Sequence, residues 1–415
     1  MTTATHLESW VPVGFGSDFP IQNLPYGVFA DAEGERCGVA IGEVIVDLAR
    51  AEAAGLFTST GLRHGTFRQN SLNTFLGHSR GVWSAVRGRV TEMLTAGNEQ
   101  GIAFARAHNV MIDHPVRLRL PVTIGDYVDF YSSQQHAINV GRMFRPDGDP
   151  LLPNWKRLPV GYHGRAGTII PSGTPIKRPH GQMRGPTGPL FGASEKLDIE
   201  LEVGFITGAG PQLGTPIPVD EAEHHIFGMC LVNDWSARDI QAWEYVPLGP
   251  FLGKSFATSI SPWIVPLEAL EPFRVSGTAQ DPVPLPYLQE QKRQGVAIDL
   301  TVDLSPVGSP PTTIIATSFT NMYWTMAQQL AHATINGATT RPGDLYASGT
   351  VSGPTPDQFG SLLEQSWNGT RDLTLSDGST RTYLEDGDTI RISARCDIEG
   401  AVPIGFGECK GTVAG

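Results

Sequence analysis

The chain has 415 residues, 40% of them hydrophobic and 17% charged, with a formal net charge of −12. This length exceeds the usual limit for one hydrophobic core and predicts two domains. The acidic balance, with no long basic block, argues against nucleic acid and anionic membranes as partners. The segment Met1–Trp10 has no signal-peptide pattern, no apolar run is long enough for a bilayer, and the four cysteines are scattered, as expected for reduced thiols. We therefore expect a soluble cytoplasmic protein.

Residues 1–117 are predicted to form a small first domain. Short strands are predicted at Tyr26–Phe29 and Val39–Leu48. The apolar residues of Val82–Ala96 recur at helical spacing, and Gly97 is expected to end that helix. No functional side chains cluster in this part of the chain. This pattern is typical of a small β-barrel or a cap-like domain.

Residues 118–415 are predicted to form a larger domain that is rich in strands and turns, since the chain contains 48 glycines and 32 prolines. Lys196–Phe205 alternates strictly between polar and apolar residues, and Asp377–Gly378 is typical of a hairpin turn. One helix interrupts the strands. We expect Asn321 to cap it and Gly337 to end it, with its apolar stripe in the core.

A dense polar segment begins at Asp129. In an extended chain Asp129 and Tyr131 point the same way, and a loop rich in Ser and Gln then leads to His136. Arg142 and Arg145 follow closely, which favours an organic anion as a ligand. The ordinary alternative is a hydrogen-bonded loop histidine with no catalytic role.

Three acidic residues fall on one face of the predicted strand at 196–205. Asp198, Glu200 and Glu202 alternate with apolar residues, so their carboxylates share a face and repel one another. A cation would relieve that repulsion, and oxygen ligands suit Mg²⁺ or Ca²⁺ rather than zinc. The alternative is a half-buried strand whose acidic face is solvated.

Four polar side chains recur at helical spacing in the segment that follows. If residues 234–245 are helical, one stripe carries a carboxylate, a guanidinium, an amide and a phenol, from Asp234, Arg238, Gln241 and Tyr245. Asn233 or Asp234 is also a candidate to cap the start of that helix. A solvated helix face usually carries Lys and Glu in no special order, so this stripe favours the wall of a polar site.

Two glycine-containing segments lie further along the chain. Leu248–Ser255 lacks the spacing of a phosphate-binding loop, and Pro250 removes a backbone N–H that such a loop needs. Nucleotide binding is therefore excluded, and Lys254 remains as a cation near the predicted helix. Small residues around Thr350 allow a ligand to approach closely, although the spacing of a serine nucleophile elbow is absent.

Six segments together resemble the fumarylacetoacetate hydrolase family. They run in the family's order through most of residues 120–410 and comprise Asp129–Gly141, Leu158–Arg165, Glu200–Glu202, Asn233–Gln241, Tyr245–Ser255 and Ala347–Glu364. Several are long, which makes the resemblance specific. One departure is Ile138, where the family pattern leads us to expect threonine.

The resemblance implies a role for each matching position. The implied ligands of one Ca²⁺ or Mg²⁺ are Asp129, Glu200, Glu202 and Asp234. Lys254 and Thr258 are implied to border a second cation site. His136 is implied to be the general base, oriented by Glu364. The implied oxyanion-stabilising groups are Arg238, Gln241 and Lys254, and the implied substrate-binding groups are Tyr131, Arg145, Tyr162, Gln241, Tyr245 and Thr350.

The resemblance also implies a fold, a reaction and an assembly. The implied fold is mainly β (α+β), with a small N-terminal SH3-like β-barrel, a larger C-terminal mixed β-roll and a homodimeric assembly. The implied reaction is hydrolysis of the carbon–carbon bond of a diketo acid, 4-fumarylacetoacetate, to fumarate and acetoacetate, which ends tyrosine and phenylalanine breakdown. A 1,3-diketone allows this cleavage because the leaving fragment departs as an enolate, which a divalent cation stabilises.

Two other functions compete with this one. Another member of the wider superfamily, an acylpyruvate hydrolase or a metal-dependent oxo-acid decarboxylase or hydratase, would use a similar site. Those proteins tend to be shorter and to lack the long block Asp234–Ser255. An acidic calcium-binding module without catalysis would show metal-dependent stability and no dependence on His136.

Overall fold

The computed structural model describes residues 7–415, so the first six residues of the predicted N-terminal domain lie outside the described range. Strands predominate over helices in this range, and the longest helix, α3, has 15 residues. No helix of the described residues is both long and apolar enough to cross a membrane. The helices are α1 (Leu48–Ala53), α2 (Asn73–Leu76), α3 (Arg80–Leu94), α4 (Glu99–Ala107), α5 (Gln134–Phe144), α6 (Arg238–Glu244), α7 (Leu252–Ser255), α8 (Leu267–Leu270), α9 (Met326–Thr334) and α10 (Leu362–Gln365).

The strands are mostly short and are separated by turns, as the glycine and proline content predicts. In chain order they are β1 (Tyr26–Asp31), β2 (Gly34–Ile41), β3 (Val44–Asp47), β4 (Met111–Ile112), β5 (Arg117–Leu118), β6 (Tyr127–Phe130), β7 (Gly161–His163), β8 (Ile169–Pro171), β9 (Ile176–Lys177), β10 (His180–Arg184), β11 (Pro189–Ala193), β12 (Leu197–Asp198) and β13 (Leu201–Thr207). They continue as β14 (Ile226–Asp234), β15 (Ser236–Ala237), β16 (Thr258–Ile260), β17 (Trp263–Pro266), β18 (Arg274–Ser276), β19 (Gln294–Val296), β20 (Asp299–Ser305), β21 (Thr312–Ser318), β22 (Leu345–Ala347), β23 (Leu373–Thr374), β24 (Thr380–Arg381), β25 (Thr389–Cys396) and β26 (Ile404–Ala414).

The main sheet is mixed and positions the candidate site. Its strand order is β4-β3-β2-β1-β17-β14-β13-β22-β6-β7, with β5, β8 and β16 attached beside this path. β6 and β22 run parallel, whereas β13 is antiparallel to both of its neighbours, β14 and β22. Burial of both faces explains why β14, Ile226–Asp234, is apolar along most of its length. The predicted mainly β (α+β) class is confirmed.

The described residues contain no closed N-terminal barrel, so that detail of the expected fold is not confirmed. β1 continues the main sheet, because Tyr26 pairs with Ile264 of β17. The ring of Tyr26 also packs edge-on against Phe227 of β14 at 5.3 Å, which places both parts of the chain in one hydrophobic core. A strand that finds a partner in the next part of the chain has no need to close on its own sheet.

A second sheet covers the main one and completes the larger core. Its strand order is β21-β20-β25-β26-β9. Trp235, the residue after β14, is fully buried and donates from Nε1 to Ser259 Oγ at 2.9 Å. A Cβ on Gly411 of β26 would lie 2.5 Å from the Trp235 ring, so only glycine lets the two sheets approach this closely.

Several predicted elements can be compared with the structure. The helix predicted at Val82–Ala96 is confirmed as α3, and Gly97 follows with a positive φ of 78°. The hairpin turn at Asp377–Gly378 joins β23 to β24, as predicted. The cap predicted at Asn321 is wrong: α9 begins at Met326 because Thr325 and Gln328 form a reciprocal capping box.

Candidate functional site

Four carboxylates converge at one edge of the main sheet. Asp129 lies near the end of β6, Asp234 ends β14, Glu202 lies at the start of β13, and Glu200 immediately precedes that strand. β6 and β14 both run opposite to β13, so their carboxyl ends meet its amino end. One oxygen from each carboxylate lies within 4.8 Å of the others, and all four residues are buried. The acidic face is therefore not the solvated face that was the alternative expectation.

Burial and mutual repulsion make the ionised form of these carboxyl groups unfavourable unless a cation is bound. Burial raises the pKa of Asp129 well above its ordinary value, and the neighbouring Asp234 carboxylate raises it further. Burial likewise raises the pKa of Glu202, with added repulsion from Asp129 and Glu200. Asp129 Oδ1 and Glu202 Oε1 are buried with no hydrogen-bond partner. Carboxylate oxygens left in this way are the ligands that Ca²⁺ and Mg²⁺ prefer, so the donor set fits either cation.

Asp198 does not join this cluster, although it shares the alternation of Glu200 and Glu202. The predicted strand at 196–205 is interrupted between β12 and β13, at Ile199 and Glu200. There Glu200 forms a bridge with Ser361, and Asp198 instead accepts from the backbone N–H groups at the start of α10. The interruption separates the three carboxylates into two groups.

Lys254 supplies a positive charge on one side of the acidic cluster. Its Nζ donates to Glu200 Oε2 at 2.5 Å and to Asp234 Oδ2 at 2.6 Å. Burial alone would lower the pKa of Lys254, but Asp234 and Glu200 raise it above its ordinary value, so the ammonium stays charged at neutral pH. Thr258 Oγ1 donates to Asp234 Oδ1 at 3.1 Å, which places both predicted second-site residues against the same carboxylate.

Arg238 begins α6 and lies between two acidic side chains. Its Nε donates to Asp198 Oδ2 at 2.7 Å, and its Nη2 lies 2.8 Å from Glu200 Oε1. Its Nη1 donates to Gln241 Oε1 at 3.1 Å, which orients that amide beside the guanidinium. Burial opposes the charge on Glu200, yet Lys254 and Arg238 together hold the pKa of that carboxyl below its ordinary value. Glu200 thus remains an anion whether or not a cation is bound.

The helix predicted for residues 234–245 is wrong at its start. Asp234 ends β14, where it pairs with Thr258, and the chain passes through β15 before α6 begins at Arg238. Ladder hydrogen bonds take the backbone groups that a helix would need, so Asp234 caps nothing. Ala237 stands at the N-cap position, with no side-chain cap. Asp234 and Arg238 reach the same site from a strand end and a helix start.

His136 and Glu364 form a buried hydrogen-bonded pair. His136 Nδ1 lies 2.7 Å from Glu364 Oε2, and the two residues are 228 positions apart in the chain. His136 lies in the first turn of α5 and not in the predicted loop, because the Ser133 side chain accepts from the His136 N–H and starts the helix. An ionised carboxylate accepts hydrogen bonds only, so Nδ1 carries the proton and Nε2 is left as the basic nitrogen.

Glu364 is held by three further side-chain donors. Asn139 Nδ2 donates to Oε1 at 2.8 Å, and the hydroxyls of Ser352 and Ser361 donate to Oε2 at 2.9 Å and 3.0 Å. Burial alone would raise the pKa of Glu364, but His136 and these donors hold it below its ordinary value. Sequence reasoning did not identify Asn139, Ser352 or Ser361 as functional residues. The available signal for Asn139 was its place one helical turn after His136.

Three of the predicted substrate-binding side chains lie close to this machinery. The Tyr131 ring packs edge-on against the His136 ring at 5.2 Å. Tyr162 donates from its hydroxyl to Asp234 Oδ2 at 3.4 Å. Thr350 is buried, and its Oγ1 has no hydrogen-bond partner. An unpaired hydroxyl in a buried polar site is a group that a ligand oxygen can satisfy.

Of the other three predicted substrate-binding residues, Gln241 is the amide oriented by Arg238, and Arg145 and Tyr245 are more exposed. Arg145 follows the last residue of α5 and donates from Nη2 to Pro150 O at 2.7 Å. Tyr245 follows α6 and is 46% exposed. A cavity of about 200 Å³ opens beside the acidic cluster, lined by Tyr127, Tyr162, His163, Gly164, Arg165, Asp234, Pro250, Phe251, Lys254 and Ser255. A second cavity, of about 280 Å³ between α3 and α8, contains none of the predicted site residues.

Comparison with known proteins gives the same family for both parts of the chain. Residues 22–128 match the family model described as fumarylacetoacetase N-terminal, and residues 127–414 match the one described as fumarylacetoacetate (FAA) hydrolase C-terminal. Among solved structures, a fumarylacetoacetate hydrolase from psychrophilic Exiguobacterium antarcticum is 18% identical with a TM-score of 0.53, covering 94% of this chain and 99% of that one. This likeness shows the fold.

Curated relatives match over nearly the whole chain. Fumarylacetoacetases from Rattus norvegicus and Homo sapiens are each 50% identical to it, and that from Arabidopsis thaliana is 49% identical. Each comparison covers 98% of this chain and 98% of the relative. Identity at this level over the full length leaves no room for a different fold or family, and the chain belongs to the fumarylacetoacetase family.

Proposed function

We propose that this protein hydrolyses the carbon–carbon bond of 4-fumarylacetoacetate to give fumarate and acetoacetate, the last step of tyrosine and phenylalanine breakdown. One observation carries the proposal most directly: the buried His136–Glu364 pair lies in the same chain as a buried four-carboxylate cluster flanked by Lys254 and Arg238. The relatives at about 50% identity bear the name of this activity. No feature of the site favours an acylpyruvate hydrolase or an oxo-acid decarboxylase over it.

The general base of the proposed reaction is His136 Nε2. Glu364 accepts from Nδ1–H at 2.7 Å and fixes the tautomer, so that Nε2 removes a proton from a water molecule as the water attacks a ketone carbon of the substrate. Glu364 also stabilises the imidazolium that forms. His136 then gives the proton to the carbon of the departing enolate, which yields acetoacetate and restores the base, while the new carboxyl group of fumarate releases its own proton to bulk water.

The developing negative charge on the attacked ketone needs fixed cations. Arg238 and Lys254 are buried and charged, and Gln241 is oriented by Arg238, so these three side chains stabilise the oxyanion. Collapse of the tetrahedral intermediate breaks the carbon–carbon bond and releases acetoacetate as its enolate. Groups fixed before the reaction need little reorganisation when this charge appears.

We propose Asp129, Glu200, Glu202 and Asp234 as the ligands of one Ca²⁺ or Mg²⁺. When bound, such a cation acts as a Lewis acid on the diketone oxygens and stabilises the enolate. Lys254 and Thr258 are proposed to border a second cation site, and Tyr131, Arg145, Tyr162, Gln241, Tyr245 and Thr350 are proposed to bind the substrate's carboxylates and oxygens. A cytoplasmic homodimer, with domains at residues 1–117 and 118–415, completes the proposal.

Loss of the diketone's ultraviolet absorbance tests this function. Purified protein is mixed with fumarylacetoacetate in the presence of Mg²⁺ or Ca²⁺, with a chelator, and as the His136→Ala variant. We expect the rate to require the cation and to fall by about 10²–10⁴-fold without His136. His224→Ala is the matched control, because that histidine is exposed and pairs with the exposed Glu221.

Three outcomes would contradict the proposal. Turnover that survives His136→Ala would keep the substrate but remove His136 as the base. A folded, metal-loaded protein that leaves fumarylacetoacetate intact but hydrolyses an acylpyruvate would move the protein to the wider superfamily. Metal-dependent stability without any turnover would indicate a calcium-binding module.

A further inference from the structure

The three proposed oxyanion-stabilising side chains come from two short helices. α6 carries Arg238 and Gln241, whereas α7, only four residues long, carries Lys254. A helix of this length has no stability of its own in water, so contacts outside it must hold it in place. The position of the Lys254 ammonium therefore depends on whatever fixes α7 against α6.

Glu244, the last residue of α6, makes that connection. Its Oε1 accepts from the backbone N–H of Phe251 at 2.8 Å and from that of Gly253 at 2.7 Å. Phe251 is the N-cap residue of α7, and its own side chain caps nothing. One carboxylate oxygen thus satisfies two N–H groups that the start of a helix leaves free.

The backbones of the two helices also touch directly at Gly253. A Cβ on Gly253 would lie 2.7 Å from Gln241 N and 2.9 Å from Ala237 O. The two backbones are therefore in direct contact, next to Lys254 on α7 and Gln241 on α6. Glu244 joins the two ends of the loop that connects these helices, because it ends α6 and accepts from the first residues of α7.

The loop between the two helices buries few apolar side chains, so hydrophobic packing of this loop contributes little to holding α7 in place. Val246 is 66% exposed, Leu248 is 96% exposed and Phe251 is 65% exposed. An exposed apolar side chain contributes little to fixing the backbone beneath it. The paired hydrogen bonds of Glu244 therefore fix the entry to α7, while Thr168 Oγ1 donates to Ser255 O at 2.7 Å at the end of the helix.

We propose that Glu244 is a positioning residue for Lys254: its carboxylate fixes α7 on α6 and thereby sets where the Lys254 ammonium stands against Glu200 and Asp234. The catalytic consequence rests on the proposed function, whereas the structural consequence does not. A displacement of about 1 Å in a group that acts on the reacting atoms costs about 10²-fold in rate.

Two substitutions separate the acceptor role of Glu244 from its charge. Glu244→Ala removes the acceptor, and we expect kcat for fumarylacetoacetate to fall by roughly 10–100-fold with a smaller change in KM. Glu244→Gln keeps a carbonyl acceptor at the same place and should recover about tenfold of that loss. Equal rates for the two variants, or a Glu244→Ala enzyme with wild-type kcat, would overturn the proposal.

Glu52 provides the matched control. It is also a helix glutamate, in α1, and its carboxylate accepts from the backbone N–H groups of Thr66 and Phe67 in a loop that contains no predicted site residue. Glu52→Ala removes the same type of contact and should lower stability without lowering kcat. A fall in kcat as large as that of Glu244→Ala would show that any such loss of loop structure reduces the rate, and would overturn the specific role.

Two further measurements test the route through Lys254. In a Lys254→Met background, Glu244→Ala should lower kcat by less than about threefold, because the effects of residues that act through one another are not additive. The full 10–100-fold loss in that background would overturn the proposal.

Acetylation of Lys254 under native conditions, followed by mass spectrometry, needs no turnover. Lys254 is 6% exposed, so Glu244→Ala should speed its labelling about tenfold if α7 loosens. An unchanged labelling rate would overturn the proposal, whereas an inactive wild-type enzyme would overturn only the proposed function.

Discussion

Replacement of Asn139 by leucine should alter the acid side of the pH–rate profile. Asn139 Nδ2 donates to Glu364 Oε1 at 2.8 Å, and leucine has the same branched arrangement of heavy atoms but no donor. A hydrogen bond to a buried charged group contributes about 1.5–3 kcal/mol, which corresponds to about one to two pH units in the pKa of the acceptor. His136 and the hydroxyls of Ser352 and Ser361 still donate to the Glu364 carboxylate, so the variant protein should still fold.

The sign follows from which protonation state is active. Catalysis needs Glu364 ionised and His136 Nε2 free of a proton. Loss of a donor makes the Glu364 carboxylate more basic, so that its protonated, inactive form persists to higher pH. The acid limb of kcat should therefore move upward by about one to two pH units, while the plateau at high pH changes less.

Stability should change in step with this shift. The pKa of Glu364 lies below its ordinary value of 4.5, so its contribution to stability is present above pH 4.5 and is lost as the pH falls through the lower, folded-state pKa. Asn139→Leu should lower the free energy of unfolding by about 1.5–3 kcal/mol at pH 7, and by less at pH 4. Stopped-flow absorbance and thermal unfolding at several pH values measure the two effects.

Asn73→Leu is the control, because Asn73 also donates from a side-chain amide, to Thr123 O and Pro342 O, but has no contact with the catalytic pair. It should lower stability and leave the acid limb in place. An Asn139→Leu enzyme that is folded and active with an unmoved acid limb would refute the reasoning, since Glu364 would then not depend on its donors.

Three more predictions follow from buried acids and close packing. Burial raises the pKa of Glu202, so Glu202→Gln should raise the Tm of the chelator-treated protein. The same variant loses a proposed metal ligand and should lose most of the stabilisation that Mg²⁺ or Ca²⁺ provides. For the wild-type protein that stabilisation is about 2.7 kcal/mol at a cation concentration of 100 times Kd. Burial raises the pKa of Glu290 from 4.5 to about 7 despite a hydrogen bond from Thr325. The free energy of unfolding should therefore fall by up to about 3 kcal/mol as the pH rises from 4.5 to 7, and Glu290→Gln should remove this pH dependence. Gly141→Ala would place a Cβ 2.0 Å from Pro150 O, so denaturant unfolding should show a loss of at least about 1–3 kcal/mol and kcat should fall as α5 shifts.

The sequence predicts local chemistry better than it predicts which segments meet. Glu200 and Glu202 share a face because alternation in an extended chain is fixed by backbone geometry. The contact of His136 with Glu364 spans 228 positions and depends on how β6, β13 and β22 pair, which no local pattern encodes. Family resemblance implied it, and the structure supplies the distance.

The start of the predicted helix at Asp234 shows why local spacing misleads. Spacings of four, three and four are compatible with a helix, but they do not exclude a strand end followed by a helix start. Hydrogen bonds between Asp234 and its partner Thr258 in β16 decide the outcome, and that partner lies 24 positions away. Tertiary pairing overrode a helical pattern that was correct only from Arg238 onward.

The pairing of β1 with β17 has a consequence for how the chain comes apart. A fragment that begins near residue 118 would leave Trp263–Pro266 with an unpaired, apolar edge, and such an edge recruits other chains into aggregates. A fragment that ends near residue 118 would lack Phe227 and Ile264, against which its own core residues pack. Neither half should be obtainable in soluble form by itself, and heating should melt both in a single cooperative transition. A harmful substitution in the first hundred residues would then deplete the enzyme in the cell without touching a catalytic group.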